Sequence, residues 1–226
     1  MENISPAKIT PKKHRFAVAV IAALVLIAAT VFFVGRGGEP PYRAGDIIEF
    51  GGHTWLVLDV QSDRMLIITE GIVRQQRHHP DSARVTWETS LVRRYLNTVF
   101  YNSFSAQDRA QIHETTLTTA DNPWFGTAGG NDTVDKVFLL SLDELVKYFG
   151  DSGQLADRNH PNNGRLGFSD RYNSERAPRD AGWWWLRSPG NTAFSVAALY
   201  GGHVYVSGLP AQTGRGGLRP ALWLYF

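Results

Sequence analysis

Four oxygen-bearing side chains, Asp121, Asn131, Asp132 and Asp135, fall in one glycine-rich stretch of the chain. Calcium takes roughly six to eight oxygen ligands, often from loops of this composition, so calcium is the candidate cofactor and this quartet its candidate site. The same residue types also cap their own backbone through Asx turns, and both readings stand. The stretch 157–170 (DRNHPNNGRLGFSD) offers a second, sparser set. Zinc is disfavoured: His78 and His79 are adjacent and cannot both face one centre from regular structure, and the other histidines show no ligand spacing. Cysteine is absent, which removes thiolate nucleophiles, thiolate zinc sites and thiol redox chemistry. No Gly-x-Ser-x-Gly elbow, P-loop or dinucleotide fingerprint occurs. A pair of carboxylates for glycoside hydrolysis is available in any domain this acidic, but no pair is singled out.

Aromatic residues are the other chemistry-bearing feature. Trp183, Trp184 and Trp185 are consecutive, so in a strand Trp184 faces opposite to its two neighbours. Such a run either fills core on one or both faces or presents an aromatic platform to a sugar or another flat ligand. Trp124 and Phe125 lie between Asn122-Pro123 and Gly126, a loop context with less core to hide in. They are the stronger ligand candidates.

These residues need a scaffold, and the chain supplies one after an unusual start. Phe16 to Val34 is 19 consecutive residues with no charge, proline, glycine or amide. As a helix that run is about 28 Å long, close to the hydrocarbon thickness of a bilayer. Lys8, Lys12, Lys13 and Arg15 precede it, and the positive-inside rule then places the N-terminus in the cytoplasm and the rest of the chain outside. A cleaved signal peptide also has a basic start and an apolar core. This run is longer than the usual signal core and closes with bulky Val31, Phe32, Phe33 and Val34, so the expectation is an uncleaved, single-pass anchor in the cell membrane.

The organisation expected is a basic cytoplasmic tail (1–15), a transmembrane helix (16–34), a Gly/Pro linker (35–42) and an extracytoplasmic domain (43–226). Five of the 23 Lys and Arg and two of the 21 acids lie in residues 1–42, leaving 18 bases against 19 acids in the domain. Without a basic excess, no nucleic-acid surface is expected.

Within the domain, Asp46–Phe50, His53–Val60 and Arg64–Glu70 read as strands joined by hairpin turns. A helix is expected from Trp87 to Phe100, where apolar residues recur at three-and-four spacing. Ser105 starts a second helix through Gln111, and Ser141-Leu-Asp-Glu144 is a capping box for a third ending near Phe149-Gly150. Val137–Leu140, Trp183–Leu186, Phe194–Tyr200, His203–Val206 and Leu218–Tyr225 complete the strands. Residues 115–135 and 150–182 are long loops, which in a compact domain are often functional. The class is α+β, with the end of the chain paired beside its beginning.

Three C-terminal segments, Trp183-Trp-Trp-Leu-Arg-Ser-Pro-Gly190, Gly201-Gly-His-Val-Tyr-Val-Ser-Gly208 and Gly217-Leu-Arg-Pro-Ala-Leu-Trp-Leu224, resemble a bacterial family of uncharacterised domains. Asp121-Asn-Pro-Trp-Phe-Gly126, Gly130-Asn-Asp-Thr133 and Arg171-Tyr-Asn-Ser-Glu-Arg176 look like motifs of the same family. That family is similar to the C-type-lectin-like fold of sulfatase-modifying-factor proteins and retroelement-diversified variable proteins. The fold implied is an antiparallel sheet with two to three helices and long irregular loops. Formylglycine-generating members of that fold work through cysteines, so their activity does not carry over. The diversified members display ligand contacts from the C-terminal region, which implies exposed positions of about 183–215 here. Trp184, Arg187 and Tyr205 join Trp124 and Phe125 as ligand-binding candidates. Arg187 and Arg219 either bridge backbone carbonyls and carboxylates or meet an anionic ligand directly.

The expected function is a membrane-anchored, extracytoplasmic binding or display module in the bacterial cell envelope, more a binder than an enzyme. Its ligand would be a glycan or a protein. The alternatives are an envelope enzyme acting on glycan or peptide, and a structural ectodomain of an envelope assembly.

Overall fold

A computed structural model describes residues 41–155, 169–180 and 182–226. The tail, the apolar run 16–34, most of the linker and most of the sparser oxygen-rich stretch (157–168) lie outside the described residues. Among the described residues, no helix is long and apolar enough to cross a membrane.

The domain is α+β and carries two five-stranded sheets and a short two-stranded ribbon. Strands β1 (Ile47–Phe50) and β2 (His53–Val60) form a hairpin whose two turn residues, Gly51 and Gly52, sit at φ +56° and +78°. Two successive positive φ values match the right-handed twist of a two-residue hairpin, and glycine alone reaches them without strain. β3 (Arg64–Thr69) follows, and its last five residues are all buried, as befits a strand with neighbours on both sides and cover on both faces. The final strand of the chain, here β12 (Ala221–Tyr225), pairs antiparallel with β3 from Ala221↔Ile68 to Tyr225↔Arg64. The end of the chain thus lies beside its beginning, as expected.

The helices follow their caps. Ser90 accepts a hydrogen bond from the Arg93 amide and starts α1 (Leu91–Tyr95), which runs on through a π-helical turn (Leu96–Phe100) and a last turn (Tyr101–Ser103). The helix expected from Trp87 therefore begins four residues later, because Trp87 is drawn into the interior with its indole N–H on Asp135 at 2.9 Å. At the start of the π-turn Asn97 Nδ2 donates to the Arg93 carbonyl at 3.1 Å, and at its far side the Tyr101 amide reaches the Leu96 carbonyl. α2 (Ala106–Gln111) and α3 (Leu142–Phe149) both open with complete capping boxes, Ser105/Asp108 and Ser141/Glu144.

Two strand expectations require correction. Val137–Leu140 is buried but forms only one bridge, Phe138↔Ala221. Side chains take the neighbouring backbone groups: Asn97 those of Lys136 and Val137, and Arg187 the Leu139 carbonyl. Leu218–Tyr225 is not one strand but two. Pro220 has no amide to donate, and the chain changes sheet there: β11 (Gly216–Leu218) belongs to the second sheet and β12 to the first.

The second sheet is ordered β10 (His203–Pro210), β9 (Ser195–Tyr200), β8 (Trp183–Pro189), β11 and β4 (Arg74–Gln76). β8, β9 and β10 form an antiparallel meander, while β11 runs parallel to β8. Part of the long 115–135 segment is ordered as a ribbon of β6 (Thr115–Leu117) and β7 (Thr133–Asp135). β5 (Ile112–His113) closes the first sheet beyond β12.

Candidate functional site: an aromatic groove on the second sheet

The meander sorts its aromatics by parity. Trp183 pairs with Tyr200 and Tyr200 with His203, while Trp185 pairs with Ala198 and Ala198 with Tyr205. Directly paired residues share a face and so do residues two apart. Trp183, Trp185, Ala198, Tyr200, His203 and Tyr205 therefore all stand on one side of the sheet. Ala198 is the small member, and its missing bulk leaves a floor between larger neighbours. The result is a groove of about 300 Å³ lined by Trp183, Ala198, Leu199, Tyr200, Tyr205, Leu209, Thr213 and Gly214. No Asp, Glu, Lys, Arg or His lines it. Tyr200 is 60% exposed.

Trp183 is held in place from below. Its ring meets Trp185 edge-on at 4.7 Å, and Trp185 anchors itself by donating its indole N–H to the Gln76 carbonyl at 3.0 Å. Behind Trp185 lies His78, with ring centroids 5.5 Å apart, and Trp87 follows at 6.4 Å. His78 is fully buried and neither ring nitrogen has a hydrogen-bond partner. Burial, with the neighbouring His79 adding to it, lowers its pKa to about 3. The unfolded chain therefore takes up this proton near pH 6.5 and the folded chain does not. The stability that neutral His78 contributes is complete above about pH 6.5 and declines toward pH 3, by about 1.4 kcal/mol per pH unit. Urea unfolding followed from pH 7 to pH 4 is expected to show this slope, and His78→Phe to flatten it by about one proton. An unchanged slope in the variant would assign the acid sensitivity elsewhere.

Both partners of β9 are bulged at the same level. Four-residue steps on β8 (Trp185 to Pro189) and on β10 (Tyr205 to Leu209) oppose a two-residue step on β9. Bulges bend strands and leave backbone groups without ladder partners. Asn122 supplies the missing partner: its Nδ2 donates to the Pro189 and Val206 carbonyls, both at 2.8 Å. Its Oδ1 accepts the Trp124 and Phe125 amides at 3.0 and 3.3 Å. One buried amide thus ties the Trp124-Phe125 turn to the two bulged strands.

The ligand candidates named from sequence separate in space. Tyr205 lines the groove. Trp124 and Phe125 lie on the turn pinned by Asn122, Trp124 half-buried against the core and Phe125 36% exposed. Trp184 is 0% exposed with the Arg219 guanidinium 5.0 Å over its ring, so it is core and not platform. Trp184 stands on the opposite face of β8 from Trp183. Trp185, on Trp183's own face, is also buried, so it is the place of Trp183 at the start of the strand that leaves it partly exposed. Arg187 is likewise buried. It donates to the Leu139 and Thr118 carbonyls at 2.9 and 3.3 Å, to Thr119 Oγ1 at 3.3 Å, and pairs with the Glu144 carboxylate through both terminal nitrogens. With every donor direction used internally, it has no fork left for a ligand. Arg219 donates to the Thr69 and Arg176 carbonyls at 3.0 and 3.1 Å, and burial lowers its pKa to about 10, with Glu70 acting in the opposite sense.

The calcium quartet does not converge either. Both Asp135 oxygens are occupied, one by Arg93 Nε at 2.7 Å and the other by Trp87 Nε1 and Thr133 Oγ1 at 2.9 and 2.7 Å. Asp121 accepts the Gly129 amide at 2.9 Å and Asn131 donates to Glu88 at 3.0 Å, while Asp132 is exposed. These oxygens are used mainly by side chains from other segments, and only Asp121 takes up a backbone amide of the loop itself. Among the described residues no group of three or more His, Cys, Asp or Glu is placed to hold a metal ion.

Trp183 belongs to the tryptophan run that the sequence offers as core or platform, whereas Tyr200 and the tie made by Asn122 are not singled out from sequence. The sequence signal for Tyr200 is the Gly201-Gly202 turn, which sets Tyr200 opposite His203 with Tyr205 two residues on. Reading the hairpin register would have aligned them.

The domain is thus α+β, with an uncharged aromatic groove on its second sheet. The chain belongs to the DUF6273 family, a domain of unknown function, whose family model matches residues 62–226. Neither the curated proteins nor the solved structures include a match to it.

Proposed function

We propose that residues 43–226 form a non-enzymatic binding or display domain held at the outer face of a bacterial cytoplasmic membrane by residues 16–34. The groove of Trp183, Tyr200 and Tyr205 is its ligand seat. The observation that carries this reading is the convergence of three surface aromatics around an uncharged cavity of about 300 Å³, since ligand sites are concave, mostly apolar and aromatic with few polar groups. Such a seat suits the face of a sugar ring or an uncharged side chain of a protein ligand, not a phosphate or a carboxylate. The finer fold reading, a C-type-lectin-like domain, draws support from the last strand, β12, pairing back onto β3 of the first meander and from the long loops beside a second sheet.

Oligosaccharide and peptide arrays probed with the detergent-solubilised full chain test the proposal. Trp183→Ala and Tyr205→Ala are expected to weaken each ligand found by at least about tenfold, or roughly 1.4 kcal/mol. Tyr205 and Tyr200 stand at the surface, so Tyr205→Ala and Tyr200→Phe should leave the melting temperature nearly unchanged. Full binding by both alanine variants, together with loss on Trp124→Ala, would move the site to the Asn122 turn.

A further inference from the structure

We propose that the end of the first sheet nearest residue 42 is a lipid-contacting surface. Tyr42, Tyr225 and Phe226 sit in the headgroup region of the bilayer, and Arg64 meets a lipid phosphate. The inference rests on the reading of residues 16–34 as an uncleaved anchor. Given that anchor, the eight residues 35–42 span at most roughly 27 Å when fully extended, so Tyr42 stays close to the membrane surface whatever the linker conformation.

What surrounds Tyr42 has the composition of a membrane interface. Its ring meets Phe226 edge-on at 5.7 Å, and Tyr225 and Phe226 are 40% and 44% exposed. Arg64 is the cross-strand partner of Tyr225 and lies 4.8 Å over the Trp223 ring. Its nitrogens reach Gln61 Oε1 at 2.9 Å and His113 Nε2 at 3.1 Å. No carboxylate pairs with it among the described residues. Tyrosine presents an apolar body with a polar tip, and such rings concentrate at the headgroup level. An arginine without a carboxylate partner is suited to a phosphate. Asp63 adjoins Arg64, and its carbonyl accepts the Phe226 amide at 3.3 Å, so the patch carries little net charge. Seating therefore depends on the aromatics and occurs on zwitterionic lipid as well as anionic lipid.

The opposite end of the same sheet provides the internal control. Val99 is 61% exposed and adjoins Phe100, whose ring packs on His53 at the start of β2. That point lies about 26 Å along the eight-residue strand from the Gln61–Arg64 turn.

The native chain has no cysteine, so single labels are unambiguous. The full chain carrying Phe226→Cys or Val99→Cys, each labelled with an environment-sensitive fluorophore, is reconstituted into phosphatidylcholine vesicles containing brominated lipid. The label at 226 is expected to be quenched at least about twofold more than the label at 99, as for a group at headgroup depth. Equal quenching at the two positions, in a chain that floats with the vesicles, would overturn the surface and leave the anchor standing. A chain that does not float with the vesicles would remove the anchor and this surface with it. Arg64→Gln should reduce the quenching at 226 without affecting flotation.

Discussion

Asn122→Asp is expected to destabilise the domain by at least about 3–5 kcal/mol, a large fraction of the stability of an ordinary domain. In the native fold Nδ2 sits 2.8 Å from two carbonyl oxygens, Pro189 O on β8 and Val206 O on β10. Aspartate places an acceptor against those two acceptors in a site that is 1% exposed. Two buried carbonyls lose their partner at about 1–3 kcal/mol each. One carboxylate oxygen keeps the Trp124 and Phe125 amides, but the other faces those carbonyls with a buried negative charge. Asn122→Ala removes the donor without adding charge and should lose somewhat less. Chemical denaturation of the detergent-solubilised full chain measures both. The order matters as much as the size: Asp worse than Ala identifies the amide donor as what holds the bulges. Equal, small losses would show that the bulged strands hold their shape without it. Because the bulges lie beside Tyr205 and Leu209, partial loss of this tie should also loosen the groove.

Arg187→Met is expected to have an effect of similar size, about 3–5 kcal/mol, because it leaves a partly buried Glu144 carboxylate unpaired and strips the Leu139 and Thr118 carbonyls of a donor. Glu144 is already committed to the start of α3, where its carboxylate caps the Ser141 amide at 2.8 Å. The guanidinium therefore couples a helix start, the buried 139–140 segment and β8. Arg187→Lys restores a charge but not the planar fork, so it should recover only part of the loss. A double-mutant cycle with Glu144→Gln should return a coupling of about 1–3 kcal/mol, as for residues in direct contact. A ligand-contacting Arg187 would behave otherwise: Arg187→Met would then abolish binding and leave the melting temperature unchanged.

Much of the fold was legible because local rules carried it. The Ser105 and Ser141 capping boxes need only four residues each, and both helices start where those residues are. Gly51-Gly52 marks a hairpin because both positions require positive φ. The site was less legible, since which face of a strand is buried depends on what lies across from it. The sequence leaves the tryptophan run open between core and platform, and Trp184, a ligand candidate, is core. Trp183, one residue earlier, lines the groove.

The same division runs through the loops. Asp121, Asn131, Asp132 and Asp135 have calcium-like composition, and composition is a property of sequence. Whether four oxygens meet at a point depends on the ribbon β6–β7 and on Arg93 and Trp87, which arrive from α1 and the turn before it. Val137–Leu140 is apolar enough to be a strand, yet side chains of Asn97 and Arg187 take its backbone partners from distant segments.

By itself, then, the sequence determined what depends on neighbours within a few residues. That comprises the strands of the first meander, the helix caps, the α+β class, the lack of thiol chemistry and the apolar run at 16–34. The tertiary structure alone decided which aromatics reach the surface, that Arg187 and Asp135 are consumed by internal partners, and that Asn122 closes two bulges. Those outcomes rest on contacts between residues about 40 to 85 positions apart. A hydrogen bond or a buried face is specified only when both partners are in place, and no local pattern names the second one.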